Sequence, residues 1–368
     1  IFRPLRGHRG FRNCAVAEAV KHSPKPHRDA SLDVTSRQSR AWGDAVTRGV
    51  ARSRPADFLV EEDLGFSPDG SGAHTLVYIR KTSANTDWTA RCIARAAGVR
   101  VRDVGFCGLK DRNAVTSQWF SIPGAPSIDL DALAGMGLEV LQQTPHGRKL
   151  RRGSHRGNRF RILLDSVDGD PAAIEQRLTM ISAGGVPNYF GPQRFGRQGK
   201  NLTLAKALSG GARLDRRRRG FALSAARAAL FNNLLSRRVE AGNWNSLVPG
   251  DVAVLDGTAS WFHVDQPDED MVNRVLAMDL HPSGPLWGRG DVATSGVPRE
   301  LELELGVTGE LQELCSCVEQ AGMKQERRAL RLPVRELNWT LSDDQLRMSF
   351  YLPRGAFATA VLAEILAA

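Results

Sequence analysis

Apolar and polar positions alternate through much of the first half of the chain, and that period of two predicts strands. Phe58 to Leu64 and His74 to Arg80 read as two strands joined by the turn-prone Ser67-Pro-Asp-Gly-Ser-Gly72. Thr86 is placed to cap a helix carrying Trp88, Cys92 and Ala96 on one face, which Gly98 ends. Val101 to Cys107 predicts a short apolar strand, Gly108-Leu-Lys-Asp-Arg112 a tight polar loop, and Thr116 to Ile122 another strand. Leu138 to Gln142 and Arg159 to Val167 add two more, with Phe160, Ile162 and Leu164 sharing a face of the latter.

The pattern changes near Gly184. Residues Gly185 to Gly196, dense in Gly and Pro, predict an ordered loop. The apolar period then becomes helical over Ser224 to Ala241, where Leu230 with Leu234 and Phe231 with Leu235 stand at i,i+4 spacing. Val252 to Val264 reads as a hairpin turning at Asp256-Gly257, and Glu310 to Ala321 as a helix. Alternation returns at Leu346, Met348, Phe350 and Leu352 and breaks at Pro353-Arg-Gly355. A terminal helix then carries Phe357, Val361 and Ile365. Strands this frequent, with few helices between them, predict an α+β chain built on a mixed, largely antiparallel sheet rather than a doubly wound one.

Composition narrows this. At roughly 100–200 residues per domain, 368 residues favour two domains with real cores. Hydrophobic residues at 42% and charged residues at 24% exclude wholesale disorder, and no apolar run reaches the ~18–20 residues of a membrane span. Five scattered cysteines (Cys14, Cys92, Cys107, Cys315, Cys317) argue against a disulfide scaffold and for a reducing, cytoplasmic setting. Residues 1–40 are rich in Arg, His, Ser and Pro without apolar periodicity, and are expected to form a disordered or extraneous tail. Fifty Lys and Arg against forty Asp and Glu leave a net charge of +10, which makes a polyanion the partner to test.

The candidate chemistry centres on Gly108-Leu-Lys-Asp-Arg112. An acid between two cations beside an apolar strand is held ionised, ready to act as a nucleophile, although a surface turn with local ion pairing also accounts for so short a string. Two basic stretches stand out. His146 to Arg159 contains no acid and holds Arg148, Lys149, Arg151 and Arg152 among glycines that permit close approach to a phosphate backbone. Arg213-Leu-Asp-Arg-Arg-Arg-Arg-Gly220 reads more simply as a solvated loop. Gly191 to Arg197 imitates phosphate-loop glycine spacing, but it lacks the Lys-Ser/Thr pair and a preceding apolar strand. Cys315 and Cys317 point apart on a helix, the histidines show no metal-ligand spacing, and no Gly-x-Ser-x-Gly elbow occurs. No metal and no cofactor are expected.

Several strings, taken in order, carry a resemblance. They are Asp57-Phe-Leu-Val-Glu-Glu-Asp-Leu-Gly65, Gly108 to Trp119, Arg148 to Gly153, Gly157-Asn-Arg-Phe160, Gly185 to Gly196, Ser224 to Asn232, Gly250-Asp251 and Leu352-Pro-Arg-Gly-Ala-Phe-Ala-Thr359. Together they resemble the tRNA pseudouridine synthase D (TruD) family from about Trp42 onward. The resemblance implies a pseudouridine synthase fold interrupted by a family-specific α/β insertion. The catalytic domain would comprise residues 41–183 and 332–368, and the insertion residues 184–331. It implies Asp111 as the catalytic aspartate and Lys110 as its neighbouring lysine. Phe58, Asn158 and Phe357 would hold the target base, with Phe160 an aromatic near it. The implied activity is isomerisation of uridine to pseudouridine in tRNA, at uridine-13, a reaction that changes no redox state and loses no group and so needs no cofactor. Separately, a monomer with no evident protein partner and no membrane association is expected. A non-catalytic RNA-binding or RNA-chaperone protein on the same fold is the alternative; a nucleosidase releasing free base is weaker.

Overall fold

The computed structural model describes residues 38–307 and 309–367. Most of the stretch expected to be a tail therefore lies outside the described residues, as does Cys14. Gln38, Ser39 and Arg40 already bond to the folded chain: Gln38 donates to the Phe190 carbonyl, and Arg40 to those of Ala363 and Leu366.

The larger body begins with β1 (Arg48–Ala51), β2 (Phe58–Asp63) and β3 (His74–Thr82), followed by α1 (Thr86–Ala96). Then come β4 (Gly105–Phe106), β5 (Val115–Pro123), α2 (Leu130–Gly135), β6 (Leu138–His146), β7 (Gly157–Asp168) and α3 (Pro171–Gly184). The chain crosses into the insertion through β8 (Val186–Pro187). There it forms α4 (Lys200–Ser209), α5 (Arg216–Glu240), β9 (Asp251–Leu255), β10 (Trp261–Val264), α6 (Glu269–Leu276) and β11 (Leu280–Leu286). After α7 (Gly296–Leu303), α8 (Gly309–Gln320) and β12 (Glu326–Ala329), it returns through β13 (Arg331–Leu332). Finally β14 (Arg335–Ser342), β15 (Gln345–Pro353) and α9 (Ala358–Ala363) complete the larger body.

The main sheet runs β14-β15-β7-β2-β5-β3-β6, with β1 also on β7 and β4 on β5. Every pairing is antiparallel except β2 with β5, so the sheet is mixed and largely antiparallel, as expected. The insertion has its own sheet, β10-β9-β11-β12, and β8 pairs β13 so that the outward and return crossings run side by side.

Alternation accounts for what each sheet face buries. On β3, Val77 and Ile79 join Ile93 of α1 and Leu133 of α2 in one core, while Leu76 on the opposite face packs with Trp119 and Leu150. Phe58 and Val60 of β2 and Phe160, Ile162 and Leu164 of β7 pack with α3 and α9 in a second core. A third core, inside the insertion, gathers α4, α5 and α8 around Leu230, Phe231 and Leu234. Trp42 packs against both this core and the one beneath α3, donates from Nε1 to the Gly185 carbonyl, and meets Trp244 edge-on at 5.7 Å. It pins the crossing from both sides.

Three local expectations are corrected. The α1 N-cap is Asn85, and the Thr86 hydroxyl instead donates to Gln118 and accepts from the Lys110 backbone N–H. Val101 to Cys107 is a single turn of 3₁₀ helix over Val101–Asp103, then only the two-residue β4. Arg213 to Gly220 is not a loop, because the Asp215 carboxylate accepts from the Arg217 and Arg218 backbone N–H groups and starts α5 there.

Candidate active site

The register of β2 against β7 builds the floor of the site. Glu62 lies opposite Asn158, Val60 opposite Phe160, and Phe58 opposite Ile162. Because β2 buries Phe58, Val60 and Glu62 on one face, the row that begins as apolar core ends in a buried carboxylate beside an amide. Gly157, which opens β7, has no room for a side chain; a Cβ there would collide with the Tyr351 ring of β15.

Lys110 reaches this floor from the loop between β4 and β5. Its Nζ donates to Glu62 Oε1 and to Asn158 Oδ1, each at 2.7 Å, and the Trp119 backbone N–H donates to Glu62 Oε2. The Lys110 and Glu62 side chains are 5% and 0% exposed, so this is a fully buried, hydrogen-bonded ion pair. Since an ammonium only donates, Lys110 fixes the Asn158 amide with its oxygen inward, leaving Nδ2 as the donor for a ligand.

Lys110 is therefore turned away from Asp111. The cation that meets Asp111 is Arg52, whose Nη2 donates to Oδ2 at 3.1 Å, with the carboxylate 43% exposed at the cleft wall. Arg52 also lies 3.8 Å above the centroid of the Phe58 ring. It holds a left-handed backbone conformation (φ +65°), which costs a non-glycine residue roughly 1–3 kcal/mol and is characteristic of functional sites.

These groups line a cleft of about 760 Å³ between the main sheet and the insertion. Asp111, Lys110, Asn158, Phe58, Phe160 and Phe357 all reach it. Phe58 is 1% exposed beneath Arg52, and Phe160 is buried edge-on to it at 6.0 Å, whereas Phe357 is half-buried at the α9 N-terminus. Of the four basic residues singled out in 148–152, only Arg152 lines the cleft, its guanidinium 4.0 Å from the Phe106 ring. Arg148 and Arg151 are exposed elsewhere on that segment, and Lys149 donates to the Arg102 carbonyl.

Other residues in and around the cleft escape a reading of the sequence. From the insertion, Arg194 donates to Ser224 Oγ and lies 5.6 Å from the Phe357 ring; burial lowers its pKa. Arg328 stacks 4.1 Å from Phe190, and burial together with Arg194 brings its pKa down to about 9. Under the loop that carries Lys110 and Asp111, burial and then the Lys110 charge lower His155 to about 4. Lys81 is 1% exposed and donates to the Ala84 carbonyl; burial and Lys110 lower it to about 8. Glu62 had a signal, since alternation from Phe58 points it inward. Arg52 had none, because its partners are set by tertiary contacts. Among the described residues no helix is long and apolar enough to cross a membrane.

An accessible carboxylate, an oriented amide and aromatic rings at one cleft, lined by cations, define a site for an anionic, ring-bearing ligand. The family model of tRNA pseudouridine synthase D (TruD) matches residues 37–212 and 203–365. The tRNA pseudouridine synthase D of Methylococcus capsulatus is 47% identical over 89% of this chain and 93% of its own. That of Nitrosococcus oceani is 44% identical over 90% and 95%. The crystal structure of the putative tRNA pseudouridine synthase D from Methanosarcina mazei shares the fold, with a TM-score of 0.67 at 21% identity over 89% of this chain and 95% of that one. The chain belongs to the tRNA pseudouridine synthase D family.

Proposed function

We propose that this protein isomerises uridine to pseudouridine in tRNA, at uridine-13, with Asp111 as the essential carboxylate. The observation that carries the reading is the cleft itself, where an accessible carboxylate stands beside an oriented amide and aromatic side chains. The reaction breaks the N1–C1′ bond, turns the uracil and joins C5 to C1′, so no group is lost. Asp111 can form a bond to C1′ as uracil leaves, as in retaining glycosidases. Alternatively it takes the C2′ proton while a glycal forms and returns it to C2′ as C5 joins C1′; in both routes the proton lost from C5 at the end is matched by one gained at N1, so atoms and charge balance.

The chain's own residues prepare each step. Lys110 and Glu62 hold the Asn158 amide so that Nδ2 can donate to a uracil carbonyl. Phe357 presents the more open ring for stacking, while Phe58 takes a base on its face only when Arg52 moves off it. Arg52 keeps Asp111 paired until substrate arrives. Extruding a paired base costs a few kcal/mol, which ring stacking and phosphate contacts must offset. The catalytic body would comprise residues 41–183 with 332–368, the insertion closing the cleft from the other side.

Asp111→Ala should abolish pseudouridine formation in a tRNA assay while tRNA binding and melting temperature stay close to wild type, because the side chain is exposed and makes one ion pair. Retained turnover would overturn the assignment. Mapping of the modified base then tests uridine-13.

A further inference from the structure

Of the large apolar side chains exposed among the described residues, two line the active-site cleft: Leu109, 58% exposed, and Phe221, 42% exposed. Neither is explained by folding. On α5 the core-facing positions beside Phe221 are Ala222, Ala225 and Ala226, so an aromatic at 221 adds nothing to that packing. Arg217, one turn earlier, places its guanidinium 5.6 Å from the Phe221 ring, and Ser224, at the next position of the same stripe, also lines the cleft.

Leu109 adjoins Lys110 on the catalytic loop, and these two residues form the wall shared with a second cavity of about 400 Å³. Asp87, Trp88, Arg91 and Arg217 line that second space. Its entrance is cationic: Asp87 stands 3.8 Å from both Arg152 and Arg217, whose side chains remain 56% and 76% exposed. One carboxylate thus holds two guanidiniums from separate bodies at the junction of the two cavities. Two exposed apolar groups beside two available cations suit a nucleotide, which has an aromatic face and a phosphate on each side.

We propose that Phe221, with Leu109 on the same opening, is the stacking platform for the nucleobase adjacent to the target uridine, and that Arg152 and Arg217 take the phosphates flanking it. This rests on the uridine reading of the cleft and extends it by one nucleotide. Asp87 keeps the two arginines in place until phosphate replaces it.

The test measures binding of tRNA transcripts with an abasic nucleotide placed on either side of the target uridine in turn, against wild type and Phe221 variants of the full chain. Phe221→Ala should weaken binding of intact RNA by roughly 5- to 150-fold, the range of base–aromatic stacking. Turnover at saturating RNA should stay within about threefold, a KM effect rather than a kcat effect. Phe221→Trp should bind as wild type does, and Phe221→Leu, which keeps apolar bulk, should bind as the Ala variant does. One of the two abasic transcripts should cost the wild type a similar factor and cost Phe221→Ala nothing more. Multiplicative losses from protein and RNA changes, or wild-type binding by the Leu variant, would overturn the proposal. Because binding is read apart from turnover, a wild-type protein that binds RNA but forms no pseudouridine defeats only the functional reading.

Discussion

The His155 imidazole lies close to the Lys110 ammonium under the loop between β4 and β5; a Cβ added at Gly108 would meet the first at 3.4 Å and the second at 3.7 Å. Its Nδ1 is buried with no hydrogen-bond partner among the described residues. Burial first, then the lysine charge, disfavours the imidazolium and brings the folded pKa to about 4, against 6.5 for an unperturbed histidine. Between those values the unfolded chain binds a proton that the folded chain refuses, so stability falls as pH drops from 6.5 toward 4. The loss attributable to this group is at most about 3 kcal/mol. His155→Gln should flatten that limb of a plot of unfolding free energy against pH. An unchanged slope in the variant would show that other groups set the acid sensitivity. The same residues show the limit of a local reading. Cations flank Asp111 in the sequence, but its partner is Arg52, fifty-nine positions away, while the adjacent Lys110 serves Glu62 and Asn158.

At the scale of elements, α5 depends on one side chain. Four successive arginines, Arg216 to Arg219, form its first turn, where the helix dipole disfavours positive charge. Asp215 offsets that by accepting from two backbone N–H groups and lying 3.4 Å from the Arg218 guanidinium. Asp215→Ala should lower global stability by about 0.5–2 kcal/mol in denaturant titrations. It should also loosen Arg217 and Phe221 at the cleft mouth, seen as weaker RNA binding; unchanged stability and affinity would argue that the helix starts without its cap. A charge-run reading misses this helix because four arginines look like solvated surface, whereas a single aspartate at the right offset decides the matter. Strands were more legible than helices: β2, β3, β5, β7 and β15 all follow alternation that one sheet face enforces. β4 is shorter than its apolar run suggests because Val101–Asp103 turns before the chain reaches the sheet. The apolar period of α3 is too weak to mark a helix, although Asp170 as N-cap and Pro171 at the first helical position are start signals.

For the whole molecule, the decisive joint is Trp42. It touches both principal cores, the Glu364 carboxylate accepts from its backbone N–H and that of Ala41, and Gly184 leaves room for its ring, where a Cβ would come within 2.5 Å. Trp42→Ala should cost roughly 3 kcal/mol or more by calorimetry. RNA turnover should fall further than stability alone explains, because Arg194 and Phe357 face each other across the joint that this ring fixes. A variant with wild-type melting and turnover would show that the crossings β8 and β13 suffice to hold the two bodies. The net charge of +10 is spent unevenly at this scale. Several arginines, among them Arg238 with Asp251 and Arg327 with Glu302, are neutralised inside the insertion core, while Arg152 and Arg217 stay exposed at the cleft mouth.

The discontinuous sheet also imposes an order of events on synthesis. β15 pairs with β7 from Leu164 back to Gly157, and Phe357 follows four residues after β15 ends, yet both emerge from the ribosome only after the whole insertion has been made. Until then β7 has an open edge opposite β2, and the cleft lacks the wall that α9 and its leading ring supply. The cleft is therefore complete only once β15 and α9 have joined the sheet, and a chain ending before β15 would lack Phe357 and the wall beside it.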